Sequence, residues 1–186
     1  MTMEHRPQQY DTFMVLLHWL IALLILGGWL MGTVIEGMPL SPLKLKVLSY
    51  HKWNGVTVFL LAFVRLGWRW ARGTPPLPSS MPGWQQQAAV WTHRLMYLLM
   101  FAIPLSGWLM SSAKGIPVVY FGWVPLPDLV DKNPGLAELL KAVHKTLVDG
   151  LLLLLLVHVG AALKHQFIDR DEILARMLPF WRQASP

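Results

Sequence analysis

Two histidines fourteen residues apart, His144 and His158, sit on one long apolar segment. An α-helix turns 100° per residue, so this step returns to within about 40° of the same face and rises roughly 21 Å. The two imidazoles therefore face one seam at two depths. Ionisable side chains inside a membrane span are costly and mark function by default. Cysteine is absent, which excludes disulfides, thiolate metal sites, iron–sulfur clusters and covalently attached haem. Any metal must use nitrogen or oxygen ligands. Zinc is disfavoured, because a structural site wants four ligands together and a catalytic one three, whereas each depth here offers a pair. A pair suits a non-covalent b-type haem, which takes one imidazole on each side of the porphyrin plane from facing helices of a bundle.

The elements that would position such pairs are membrane spans. Of 186 residues, 54% are hydrophobic and only 14% charged, with ten Trp and ten Met, too apolar for an ordinary soluble domain. Four stretches, 13–35, 47–70, 88–110 and 141–167, each exceed the roughly 20 residues that cross a bilayer core. Because lipid satisfies no backbone group, the expected fold is all-α, a single membrane domain over 1–186 built as a four-helix bundle. The first stretch is longer than the roughly 7 to 15 apolar residues of a signal peptide and is read as a retained helix. Asp11 or Thr12 can cap it, and Asn133-Pro134 marks a helix start for the fourth. Pro104 should kink the third. The connection from Lys114 to Lys132, with Tyr120-Phe121-Gly122-Trp123, reads as an interfacial aromatic belt or a lid. Near the end, Asp171 could cap a short amphipathic surface helix with Ile173, Leu174, Met177 and Leu178 on one stripe.

An even number of spans puts both termini on one side. Assigned to the nearer side, the Lys and Arg residues divide nine against seven in favour of the termini, and all eight arginines fall on that side. The expected orientation is N-in and C-in, with both termini cytoplasmic. The formal charge of +6 reads as anchoring to membrane lipid, since no basic run or aromatic-basic platform suggests nucleic acid.

Helix direction then sorts the histidines. His5 lies in a polar tail. His51 and His144 are the two in the outer half, so they form the outer ligand pair. His18, His93, His158 and His165 belong to the inner half. There His18 with His158 is favoured, because His165 sits roughly 10 Å nearer the headgroups and His93 precedes Arg94 near an interface. Asp149 is the one carboxylate well inside a span. An i, i+4 pair with Lys145 accounts for it, and proton transfer to a bound quinone is the sharper alternative. Arg65, Arg69 and Arg94 are candidates for inner-haem propionates, Lys52 and Lys145 for the outer, and Gly55, Gly107 and Gly160 for packing against porphyrin.

Several motifs together resemble the bacterial cytochrome b561 family, in particular its YceJ-like branch. They are Leu17-His18-Trp19, His51-Lys52 with Gly55, Val64-Arg65, Thr92 through Leu99, Ser106-Gly107, Phe121-Gly122-Trp123, Val143-His144 and Ala162 through Asp169. The resemblance spans nearly the whole chain. It implies four membrane helices and two haem b groups on the same two histidine pairs. It further implies electron exchange with ubiquinone, an activity like that of a superoxide oxidase, and a periplasmic isoprenoid-binding partner of the YceI type. The leading expectation is a di-haem cytochrome joining a periplasmic donor to the quinone pool. A haem-bearing anchor for a separate dehydrogenase or hydrogenase, and a haem-free transporter with pore histidines, are the alternatives.

Overall fold

A computed structural model describes residues 9–78, 81–171 and 173–178. Four long helices carry the fold: α1 (Thr12–Gly37), α2 (Pro42–Arg72), α3 (Gly83–Ala113) and α4 (Pro134–Lys164). Their starts follow from local chemistry. The Asp11 carboxylate accepts the Met14 N–H (2.8 Å), Ser41 Oγ that of Lys44 (3.2 Å) and Asn133 Oδ1 that of Leu136 (3.0 Å). Pro42 and Pro134 stand in the first turns of α2 and α4, where the missing N–H costs nothing. All four helices start before the apolar stretches read from the sequence, because polar first turns precede the apolar runs, while α4 ends at Lys164, short of the expected 167, where a π-helical turn takes over. Trp84 through Gln87, for instance, are already helical in α3.

By length and composition α1, α3 and α4 with the turn that follows it can cross a membrane. At 31 residues α2 is as long as α3 and α4, but carries three Lys and three Arg and is less apolar. The outward faces are oily, with Leu23 66% and Leu156 73% exposed, as lipid contact requires.

Neighbouring helices pack in chain order, α1 on α2, α2 on α3 and α3 on α4, while α4 makes no comparable backbone approach to α1 or α2. Side chains bridge that seam instead. Halfway along the bundle, Ile21, Ala62 and Met100 are buried together, with Ile25, Leu61, Tyr97 and Phe101 around them. On α4 the buried residue between His144 and His158 is Leu151.

The two ends of the bundle differ. At one, strands β1 (Val118–Tyr120) and β2 (Val124–Leu126) form an antiparallel hairpin, with Val118 opposite Leu126. Its turn holds Phe121 and Gly122 at positive φ. The hairpin is tied down, the Trp53 indole N–H donating to the Val119 carbonyl (2.7 Å) and Trp108 to that of Pro127 (3.0 Å). Thr57 and Tyr120 hydroxyls meet at 2.9 Å. At the opposite, termini end the chain leaves α4 through a π-helical turn, His165–Asp169, and a single 3-10 turn, Ala175–Met177. The expected amphipathic helix does not start at Asp171, because that carboxylate is drawn back to His165 (2.7 Å) as well as accepting the Ile173 N–H. Residue 172 of that segment, and His5 of the polar tail, lie outside the described residues. The Trp19 indole N–H to the Met177 carbonyl (2.7 Å) and Arg176 to that of Pro76 (2.7 Å) fix this segment against the bundle.

Candidate functional site

The histidines meet across the open seam in pairs. At the hairpin end His51 of α2 faces His144 of α4, ring centres 6.3 Å apart. At the termini end His18 of α1 faces His158 of α4 at 6.2 Å. An imidazole nitrogen bound to a first-row metal lies about 2 Å from it and about 1.15 Å from its own ring centre, so two imidazoles flanking one ion stand roughly 6.3 Å apart. Both pairs have that separation. His93 of α3 approaches His158 more closely, at 5.4 Å and edge-on, too near to share an ion between opposed rings.

The hairpin-end pair carries its support with it. His51 Nδ1 lies 3.0 Å from the Gly28 carbonyl, and His144 Nδ1 3.0 Å from that of Ile103. A carbonyl only accepts, so each Nδ1 bears the proton and each Nε2 presents a lone pair. This is the arrangement that orients ligating histidines. Ser106 completes it, donating to the Ile103 carbonyl (2.7 Å) while its oxygen stands 2.9 Å from His144 Nδ1. Gly107 lets His144 close in, since a Cβ there would meet the ring at 3.2 Å. The other two glycines expected to admit a porphyrin, Gly55 and Gly160, have nothing within 4 Å of a Cβ position. Asn54 locks α2 to α1 through its Nδ2 donation to the Leu24 carbonyl (3.0 Å).

The termini-end pair is built differently. His18 Nδ1 lies 3.1 Å from Arg65 Nη2, and a guanidinium only donates. Arg65 also lies over the Tyr97 ring (5.6 Å). Arg65 Nε and the Tyr97 hydroxyl are both buried without a hydrogen-bond partner. Buried polar atoms are rarely left so, and two donors side by side suit a carboxylate. A haem at this level would bring such carboxylates, and one seated on Arg65 would leave His18 free to present Nε2. The donor set fits the group at both levels.

Other expected residues take lesser places. Lys145 pairs with Glu36 of α1 (2.9 Å) rather than with Asp149, which is exposed on α4. Lys52 donates to the Ile116 and Pro117 carbonyls (both 3.3 Å). Arg94 lies over Trp91 (5.1 Å). His165 is buried in an ionic knot with Asp169 (3.0 Å) and Asp171 (2.7 Å), joined by Lys164, beyond the termini-end pair. A shallow apolar groove of about 630 Å³ runs along the end of α2, lined by Phe63, Leu66, Gly67, Arg69, Trp70, Gly73 and Thr74.

Sequence reasoning missed Ser106, Tyr97 and the two carbonyls that hold the outer rings. Ser106 did stand out beside Gly107, but a small polar residue in an apolar helix carries no mark of what it bonds to.

Helices apolar enough to cross a membrane, with histidines opposed in two pairs, have the donor geometry of a bis-histidine haem carrier. Residues 9–180 match the family model described as prokaryotic cytochrome b561, and the chain belongs to that family. It is 33% identical over 180 residues to cytochrome b561 homolog 2 of Escherichia coli (strain K12), covering 96% of this chain and 95% of the relative. It is 29% identical to a probable superoxide oxidase CybB of Yersinia pestis, over 92% of this chain and 97% of that one. Cytochrome b562 of Cereibacter sphaeroides is 28% identical over 91% and 94%. The protein is thus a membrane b-type cytochrome of electron transfer.

Proposed function

We propose that this chain carries two b haems, one between His51 and His144 and one between His18 and His158, and passes electrons from a donor at the hairpin face to ubiquinone. The carrying observation is that both pairs stand at the bis-imidazole separation. In this reading all four helices span the inner membrane, with both termini cytoplasmic and the hairpin periplasmic. The haems supply reversible one-electron chemistry. The chain supplies the rest. Gly28, Ile103 and Ser106 orient the outer imidazoles, Arg65 and Tyr97 receive a propionate at the inner level, and the apolar layer at mid-height keeps water out. Superoxide is one donor consistent with the likeness to a superoxide oxidase. Lys44, Lys46, Lys52 and Lys114 near the hairpin end would draw an anion there. The groove beside Gly67 and Arg69 offers a quinone ring an apolar bed with a cationic donor, and proton transfer through Asp149 is the alternative if quinone binds at the outer end. A YceI-type isoprenoid-binding partner would meet the hairpin face.

The test is haem stoichiometry with the reduced-minus-oxidised spectrum. Two b haems per chain are expected, with His51→Ala or His144→Ala removing one and leaving the other. Loss of both, loss of neither, or no b-type spectrum overturns the reading. Rapid mixing with superoxide should reduce the haems, and no reduction removes superoxide as donor.

A further inference from the structure

We propose that the hairpin is a lipid-embedded wedge. On leaving α3 the chain turns back into the leaflet at its own end of the bundle and runs beside α2 and α3, level with His51 and His144. The partner of its outward face is the acyl chains of that leaflet. The inference concerns the protein scaffold and stands whatever the haem count.

Contacts on two helices set the depth. The Lys52 amine reaches the Pro117 carbonyl before β1 (3.3 Å), the Trp53 indole that of Val119 (2.7 Å), and the Thr57 hydroxyl that of Tyr120 (2.9 Å). β1 therefore descends α2 from Lys52 to Thr57. Thr57 is six residues, roughly 9 Å, further into the bundle than His51. After β2, Pro127 accepts from Trp108 (3.0 Å), which lies five residues inside the end of α3 and two from Ser106, the neighbour of His144.

The same counting fixes the side. Trp53 and Thr57 stand roughly 200° and 240° round α2 from His51, and Trp108 roughly 200° round α3 from Ser106. The hairpin thus packs on the back of both helices, away from the histidine seam, and is no lid over it.

Its outward face is apolar. From Gly115 to Pro127 no side chain is charged, and Lys114 and Asp128 bracket the run. Trp123 is 87% exposed, Phe121 55% and Val124 53%. Non-helical backbone at such a depth needs its polar groups met by protein. In the turn, the Gly122 N–H donates to the Val119 carbonyl (3.3 Å) and the Trp123 N–H to that of Tyr120 (3.1 Å). Pro117, Pro125 and Pro127 have no N–H to leave unpaired on an edge. The indoles of α2 and α3 cover the Val119 and Pro127 carbonyls. Edges that face water are commonly guarded by charge, and this one is guarded by proline alone, as lipid requires.

The chain has no cysteine, so one introduced thiol is a unique labelling site. Trp123→Cys and Val124→Cys, the second guarding against a variant that misfolds, are labelled with bimane, purified as a single eluting species and placed in phosphatidylethanolamine–phosphatidylglycerol vesicles. Leu23→Cys on the oily face of α1 and Asp131→Cys, exposed in the connection beyond the hairpin, are the references. Lipids brominated along the acyl chain should quench the hairpin labels as strongly as the Leu23 label and several-fold more than the Asp131 label. Aqueous iodide should quench the Asp131 label alone. Hairpin labels that iodide quenches as it does the Asp131 label place the hairpin in water and overturn the proposal. Labels that neither agent quenches are covered by protein, such as a second copy of the chain, and overturn it equally.

Discussion

Gly27 and Gly28 are neighbours on α1, and replacing each by alanine should have opposite effects. A Cβ at Gly27 meets nothing within 4 Å, so Gly27→Ala gains helix propensity alone, up to about 1 kcal/mol. A Cβ at Gly28 stands 2.5 Å from Asn54 Nδ2. To reach ordinary contact the amide must retreat by about 0.9 Å, since a methyl and a nitrogen pack no closer than about 3.4 Å. Asn54 is short and can swing, so the helices need not separate. The bond that yields is the 3.0 Å donation to the Leu24 carbonyl, which then passes out of range. Losing a partly buried hydrogen bond costs about 1–3 kcal/mol, against which the alanine returns up to about 1. Gly28→Ala should thus be less stable than wild type by up to about 2 kcal/mol, and further below Gly27→Ala. Thermal inactivation in detergent, read as loss of the haem spectrum, supplies the comparison. In an Asn54→Ala background the penalty should vanish. If it persists there, or if the two glycine variants behave alike, the contact is not what ties α1 to α2.

Two further outcomes follow from the termini end. Gly67 lines the α2 groove with open space over it, so Gly67→Phe should fill the groove without disturbing the fold. Quinone reduction should fall several-fold with the haem spectrum unchanged, and an unaltered rate places quinone elsewhere. Asp11 is partly desolvated, which opposes ionisation, yet the Met14 N–H, the Trp68 indole and Arg72 outweigh this and hold its carboxyl below the usual range. A lowered folded value means the stabilisation is present above the ordinary carboxylate range and is lost as pH falls through the folded value. The stability gap between wild type and Asp11→Ala should therefore be open at neutral pH and narrow as the pH falls below the usual carboxylate range. A gap that widens in acid contradicts the assignment.

The histidine pairs could be read from sequence because polar residues in apolar helices stand out and helix geometry converts position into depth. The pairing of His51 with His144 needed only the absence of competitors. At the other end His93 and His158 also touch, and only the ring separations distinguish contact from opposition. Lys145 shows the limit of local rules: the i, i+4 partner Asp149 was the natural choice, but Glu36 on another helix reaches it. The hairpin escaped for a different reason. Its strands are three residues each and follow Pro117, and its turn places Phe121 at φ 51°, where a bulky residue is seldom found. The π-helical turn at His165 was equally hidden, since it depends on carboxylates that return to the imidazole only after the helix has changed pitch.

The layer of Ile21, Ala62 and Met100 at mid-height has a consequence for cell energetics. These side chains carry no hydroxyl or carboxylate, and the buried Tyr97 hydroxyl beside them meets no hydrogen-bond partner among the described residues to which a proton could pass, while electrons tunnel through packed hydrocarbon. In a bundle that conducts along its axis, charge therefore crosses this waist uncompensated. An electron moving toward a negatively charged cytoplasm works against the membrane potential, at about 2.3 kcal/mol per 100 mV for a full crossing. An energised membrane would then act as a brake on inward flow, and its collapse would release it, coupling turnover to the respiratory state without any regulatory site.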